Sequence, residues 1–167
     1  LDTLLDAALI LKENSRFLFV FVGGGVRKKD VTAFKVKYQL DNIVQLPFQP
    51  RENIHNSLGS SDIQVVILGN GQVGFTHPNK VYGAMYIGKP ILYIGPTESH
   101  VADLLNDLEG NISVQHGESK ILANKIELLF SKSWDEIINI GENNLTYANN
   151  NFHPDVLKQK MIDAIIG

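Results

Sequence analysis

From Leu68 to Pro90 the chain reads Leu-Gly-Asn-Gly-Gln-Val-Gly-Phe-Thr-His-Pro-Asn-Lys-Val-Tyr-Gly-Ala-Met-Tyr-Ile-Gly-Lys-Pro. These residue types suit an anion site. Gly69, Gly71 and Gly74 let the backbone take positive φ and approach a ligand closely. Pro78 fits the first turn of a helix, where its missing N–H costs nothing. Such a helix points free N–H groups and its positive dipole end into the preceding loop. That arrangement binds phosphate. Lys80 adds a mobile cation one turn in. An ordinary βα connection uses the same glycines, so the loop alone does not decide.

The elements that must hold this loop follow from periodicity. Leu1, Leu4, Leu5, Ala8 and Leu9 recur on one helical face. Phe17 to Val22 is an apolar run suited to a buried parallel strand, followed at once by Gly23-Gly24-Gly25 and Arg27-Lys28-Lys29. Those cations sit at a loop exit, where a solvated helix face would also place them. Val31, Phe34 and Tyr38 mark the next helix, and 43–46 the next strand. Pro47-Phe48-Gln49-Pro50 is a stiff loop, and 51–60 a helix with Ile54 and Leu58 inward. Strands are expected at 62–68, within 89–95 and, more weakly, at 112–115.

Thr97 is the expected N-cap of a helix carrying Val101, Leu104, Leu105 and Leu108. Helices are expected at 119–130 and 134–149, then a loop at Asn149-Asn150-Asn151 and a terminal helix from His153-Pro154. Alternating strands and helices predict an α/β fold with a parallel sheet and helices on both faces. The loops after Val22, Leu46 and Leu68 then share the carboxyl edge of the strands, where ligands of such sheets bind.

Composition narrows the function. The 167 residues suit one domain, and 44 % hydrophobic residues suit a globular core. A net charge of −3 gives no basic field for nucleic acid. With no cysteine, disulfides, thiolate metal sites and cysteine nucleophiles are excluded. The five histidines lack ligand spacing, so no metal site is expected. No stretch suits a membrane span or signal peptide, which points to the cytoplasm. Residue 1 is not methionine and falls inside a helix pattern, as expected of a fragment.

Other chemistries lose support on spacing. Gly23–Gly25 lacks the dinucleotide-binding pattern, and no Lys-Ser or Lys-Thr pair closes a P-loop. There is no Gly-x-Ser-x-Gly elbow. Asp62 precedes a strand and does not end one, unlike a phosphoacceptor. Glu98 is the nearest downstream carboxylate and reads as an acid in a first helical turn.

Four stretches, in order, resemble the donor-binding half of group 1 glycosyltransferases, retaining enzymes of the GT-B fold. They are Phe-Val-Gly-Gly-Gly-Val-Arg-Lys, Asn-Ile-Val-Gln-Leu-Pro-Phe-Gln-Pro-Arg-Glu-Asn-Ile, Leu-Gly-Ser-Ser-Asp-Ile-Gln-Val-Val-Ile-Leu and His-Pro-Asn-Lys-Val-Tyr-Gly-Ala-Met-Tyr-Ile-Gly-Lys-Pro-Ile-Leu. The resemblance implies a UDP-linked or related nucleotide-sugar donor and no cofactor. Phe48, Gln49, Pro50 and Arg51 would meet the base. Thr76, His77, Asn79 and Lys80 would hold the diphosphate. Gly23 and Gly24 would let the donor reach the sheet edge. The family's paired glutamates would fall at Phe75 and Gly83, near the sugar and the ribose, and neither is present.

The resemblance further implies that this is the half of a hexosyl- or N-acetylhexosaminyl-type transferase that is inactive alone. The acceptor, a saccharide or lipid-linked saccharide, belongs to an N-terminal domain, with peripheral membrane association possible for the whole protein. A non-catalytic nucleotide-sugar binding or regulatory module is the alternative, which the missing glutamates suit. A sugar-nucleotide epimerase is a third reading. In a sheet ordered 3-2-1-4-5-6 the strands at 17–22 and 62–68 flank a central first strand. That strand is expected upstream of Leu1, leaving a gap between them.

Overall fold

The computed structural model describes residues 1–75 and 79–166. In chain order the elements are α1 (Asp2–Ile10), β1 (Phe19–Val22), α2 (Lys28–Tyr38), β2 (Ile43–Leu46), a 3₁₀ turn (Arg51–Asn53), α3 (Ile54–Gly59), β3 (Gln64–Ile67) and a second 3₁₀ turn (Asn70–Gln72). There follow α4 (Lys80–Tyr86), β4 (Ile91–Ile94), α5 (His100–Asn106), β5 (Ile112–Val114), α6 (Ser119–Leu129), α7 (Trp134–Phe152) and α8 (Pro154–Ile166). All strand pairings are parallel, and helices connect the strands. The fold is α/β, as the alternating pattern predicts.

β4 shows how the layers are built. All four of its residues are buried. Successive side chains of a strand point to opposite faces. Leu92 and Ile94 enter one core with Leu4, Ala7, Leu122 and Ile126 from α1 and α6. Ile91 and Tyr93 enter the other with Val81, Met85, Val101 and Ala148 from α4, α5 and α7. A strand apolar at every position therefore sits between two helical layers. The Tyr93 hydroxyl is satisfied there by Ser99 Oγ at 2.8 Å and the Pro96 carbonyl at 3.2 Å.

The strands form two sheets, β1-β2 and β3-β4-β5. Phe19 pairs with Ile43 in the first, and Gln64 with Ile91 in the second. Among the described residues β1 and β3 do not pair, so each leaves one edge open. In β1 the N–H groups of Phe19 and Gly23 go to β2. In β3 those of Gln64 and Leu68 go to β4. Parallel ladders alternate, so Val20 and Val22, and likewise Val65 and Ile67, direct their backbone groups to the open edges.

Helix α1 joins the two sheets. Leu4 and Ala7, with Leu11 just past the helix end, pack with β4, β5 and α6, while Leu5 and Ala8 pack with Val31 of α2, Leu40 of the turn after it and Ile43 of β2. Phe19 and Phe21 touch both clusters. The helix buries a broad apolar arc because it has a neighbour on two sides.

Local details depart from the sequence reading. The N-cap of α5 is Ser99, whose hydroxyl accepts from Ala102 N–H; Thr97 lies too early. Helix α7 runs straight through Asn149-Asn150-Asn151. Buried Ala148 and the packed rings of Tyr147 and Phe152 outweigh the weak helix propensity of asparagine. It stops at His153, held extended by the following Pro154. Ile54 is exposed, because α3 is a single short helix with no buried residue.

Candidate functional site

The loop after β1 and the loop after β2 meet. Gly23 has φ of 101°, and a Cβ there would lie 3.7 Å from Phe48 Cδ2. Its N–H bonds the Leu46 carbonyl at 3.1 Å, so the two strands end level. The Phe48 ring is 78 % exposed, which excludes a role as a core aromatic. Gln49 is tied back to the Pro47 carbonyl at 3.1 Å. Pro50 is extended and opens the 3₁₀ turn that begins at Arg51. Gly24 and Arg51 are exposed, and among the described residues Arg51 has no ion pair.

The other cations of this edge differ. Arg27 is bound by Asp2 at 2.6 Å and Asp30 at 2.7 Å. The hydrogen bond from Arg27 holds the Asp2 carboxyl below its ordinary pKa, and the two carboxylates push the guanidinium pKa up. Arg27 thus pins the start of α1 to the start of α2. Lys28 and Lys29 are exposed.

The second group of expected site residues follows β3. Asn79 precedes α4, Lys80 opens it, and Gly83 lies in its exposed interior. A Cβ at Gly83 would meet nothing within 4 Å. Helix α4 has only seven residues and is anchored by Val81, Ala84 and Met85. Thr76 and His77 lie outside the described residues. Among the described residues, no hydrogen bond or ion pair joins Asn79, Lys80 or Gly83 to Gly23, Gly24 or residues 48–51. The structure thus gives two groups of loop residues, one following the strands of each sheet.

Two histidines at this edge were not singled out from sequence. His116, two residues past β5, places Nε2 2.8 Å from the Leu68 carbonyl. His100 Nε2 lies 2.9 Å from the Tyr82 hydroxyl, beside α4. Burial pushes the Tyr82 phenol pKa up. The only sequence signal was position, since His116 closely follows a strand and His100 opens the helix after one in an α/β pattern. Among the described residues no group of His, Asp and Glu could hold a metal ion.

A family model described as glycosyl transferases group 1 matches residues 1–147. The chain belongs to this family of glycosyltransferases. No curated protein matches it. Several solved structures share the fold. Alr3699/HepE of Anabaena, determined with UDP and glucose, has a TM-score of 0.77 at 18 % identity over 98 % of this chain. WaaG, a glycosyltransferase of lipopolysaccharide biosynthesis, has a TM-score of 0.72 at 17 % identity over 95 % of this chain. A G117R mutant of TarM from S. aureus, determined with Fondaparinux, alpha-GlcNAc-glycerol and UDP, has a TM-score of 0.71 at 16 % identity over 96 %. The chain spans 44 %, 41 % and 31 % of the lengths of those three. No helix among the described residues of this glycosyltransferase chain is long and apolar enough to cross a membrane.

Proposed function

We propose that this chain is the donor-binding half of an enzyme that moves a sugar from a UDP-linked donor to a saccharide or lipid-linked acceptor. The acceptor would be held by an N-terminal domain of the full-length protein. The match to the family over residues 1–147 carries the reading. It is supported by Gly23, Phe48 and Lys80, which stand where the carboxyl edge of a parallel sheet accepts ligands. In this reading Phe48, Gln49, Pro50 and Arg51 meet the base. Thr76, His77, Asn79 and Lys80 meet the diphosphate, and Gly23 and Gly24 leave room for it. The leaving diphosphate gains negative charge as the glycosidic bond to it breaks, and a cation at Lys80 stabilises that charge.

The second reading is a module that binds a nucleotide sugar without transferring it. Phe75 and Gly83 favour it, because they occupy the positions where the family's two glutamates are expected. The two readings part on one assay. The full-length protein is incubated with a panel of nucleotide sugars, and binding and turnover are measured separately. Turnover supports the transferase, and binding without turnover supports the module. Lys80→Ala is expected to weaken UDP binding by about 1–3 kcal/mol, the scale of a charge-assisted hydrogen bond. Its melting temperature should stay unchanged, since Lys80 is exposed. Failure of UDP and of every nucleotide sugar to bind would overturn both readings.

A further inference from the structure

The β3–β4 ladder stops one bond short, and His116 supplies that bond. Gln64 N–H reaches the Pro90 carbonyl, and Leu68 N–H reaches the Ile94 carbonyl. With Ile67 paired to Ile94, the alternation of a parallel ladder aims the Leu68 carbonyl at the N–H of residue 96. Residue 96 is proline and has no N–H to give. Leu68 is only 3 % exposed, so its carbonyl needs another donor. His116 Nε2 stands 2.8 Å from that oxygen. A carbonyl only accepts, so Nε2 carries the proton.

The Leu68 carbonyl and the Gly69 N–H belong to one planar peptide. The Gly69 N–H is itself held, by Gln72 Oε1 at 3.2 Å. One rigid unit is therefore gripped at both ends, at the point where the glycine loop leaves the sheet. The segment that carries His116 is fixed in turn. Gly117 N–H donates to Thr3 Oγ1 at 2.9 Å, and Gln115 N–H to Glu118 Oε2 at 2.7 Å. Because β4 lies between β3 and β5, the His116 bond crosses the end of the central strand.

We propose that His116 is a positioning residue, standing in for the N–H that Pro96 lacks and setting the Leu68–Gly69 peptide from which the glycine loop departs. Its effect on donor binding rests on the function proposed above. Its effect on the loop does not.

The test uses the full-length protein with UDP as the probe. His116→Ala is expected to speed amide exchange at Gly69, Gln72 and Phe75 about tenfold and weaken UDP binding roughly 3- to 10-fold, the equivalent of one hydrogen bond. His116→Gln, which keeps a donor, should recover part of both. Adding Pro96→Ala to His116→Ala restores a backbone N–H at residue 96 and should return exchange and affinity toward wild type. No rescue by Pro96→Ala, or unchanged exchange in His116→Ala, overturns the proposal. If wild-type protein does not bind UDP, the donor reading fails, and the exchange pattern with its rescue still decides the role of His116.

Discussion

Asn111 and Asn144 bond each other in both directions. Asn111 Nδ2 donates to Asn144 Oδ1 at 2.8 Å, and Asn144 Nδ2 donates to Asn111 Oδ1 at 2.9 Å. The pair reaches outward as well. Asn111 Oδ1 accepts from Ile91 N–H at 2.7 Å, Asn144 Nδ2 donates to the Lys89 carbonyl at 2.9 Å, and Asn111 Nδ2 to the Leu108 carbonyl at 3.0 Å. Two side chains thus join the start of β4, the end of the α5 segment and the middle of α7.

Asn144 has no exposed surface, so its loss strands several buried polar groups at once. Asn144→Ala is expected to cost about 2–4 kcal/mol, since each unsatisfied buried group costs about 1–3 kcal/mol. Urea unfolding of the variant measures this directly. A loss below about 0.5 kcal/mol, the level of an ordinary surface change, would show that the pair is not a structural joint.

Most of the architecture was legible because it rests on local signals. The continuous run Ile91-Leu92-Tyr93-Ile94 is buried on both faces, as its pattern requires. The stripe Val31, Phe34, Tyr38 does pack beside Ile43. What escaped depends on contacts distant in sequence. Asn111 reads as a turn residue from its neighbours Glu109 and Gly110, and nothing local points to Asn144. The three asparagines at 149–151 read as a loop, whereas Ala148 and Phe152 packing against α4 and α5 holds them helical. The loops that carry Gly23 and Phe48 were legible as connections leaving strands, from the glycine run after Val22 and the Pro47–Pro50 stretch. His116 was not, because its role comes from a proline on another strand connection.

The same substitution should have opposite signs in two helices. On α7, a Cβ at Gly141 would lie 2.1 Å from the Gly88 carbonyl oxygen, a backbone atom that cannot rotate away. Gly141→Ala must push α7 off the α4–β4 turn and is expected to cost about 1–3 kcal/mol or more. On α4, Gly83 is exposed and open, so Gly83→Ala should stabilise by about 0.5–1 kcal/mol through helix propensity. Paired thermal melts test both. A neutral Gly141→Ala would contradict the close approach of Gly88 and Gly141.

The start of α7 makes stability depend on pH in one direction. Ser133 and Glu136 form a capping box, with Glu136 Oε2 accepting from Ser133 N–H at 2.9 Å and from its hydroxyl at 2.7 Å. These bonds hold the Glu136 carboxyl below its ordinary value of 4.5. A group with a lowered folded pKa contributes fully above its unfolded pKa and loses that contribution as pH falls through the folded one. Glu136→Gln removes the titration and keeps an acceptor. Its melting temperature should fall less steeply than wild type as pH drops below about 4.5, the glutamate range. Parallel slopes across that window would mean that Glu136 is not linked to folding.

The open edges of β1 and β3 define a place for one more strand. Val20 is 47 % exposed, Val22 46 % and Val65 37 %, unusual values for valines in sheet strands. Phe19, Phe21, Ile63 and Ile67, on the same two segments, pack against the core shared with α1. A right-handed crossover that uses α1 to reach β1 needs a parallel strand before α1, in the same sheet. The expected occupant is therefore a strand N-terminal to α1 in the full-length protein, pairing with β1 on one side and β3 on the other. Amide exchange reads this at Val20, Val22, Val65 and Ile67. In the full-length protein these amides should exchange far more slowly than in residues 1–167 alone. The isolated chain should also self-associate with rising concentration, because free strand edges recruit one another. If the four amides exchange as fast as loop amides in folded full-length protein, no strand lies between the sheets and the two edges are native surface.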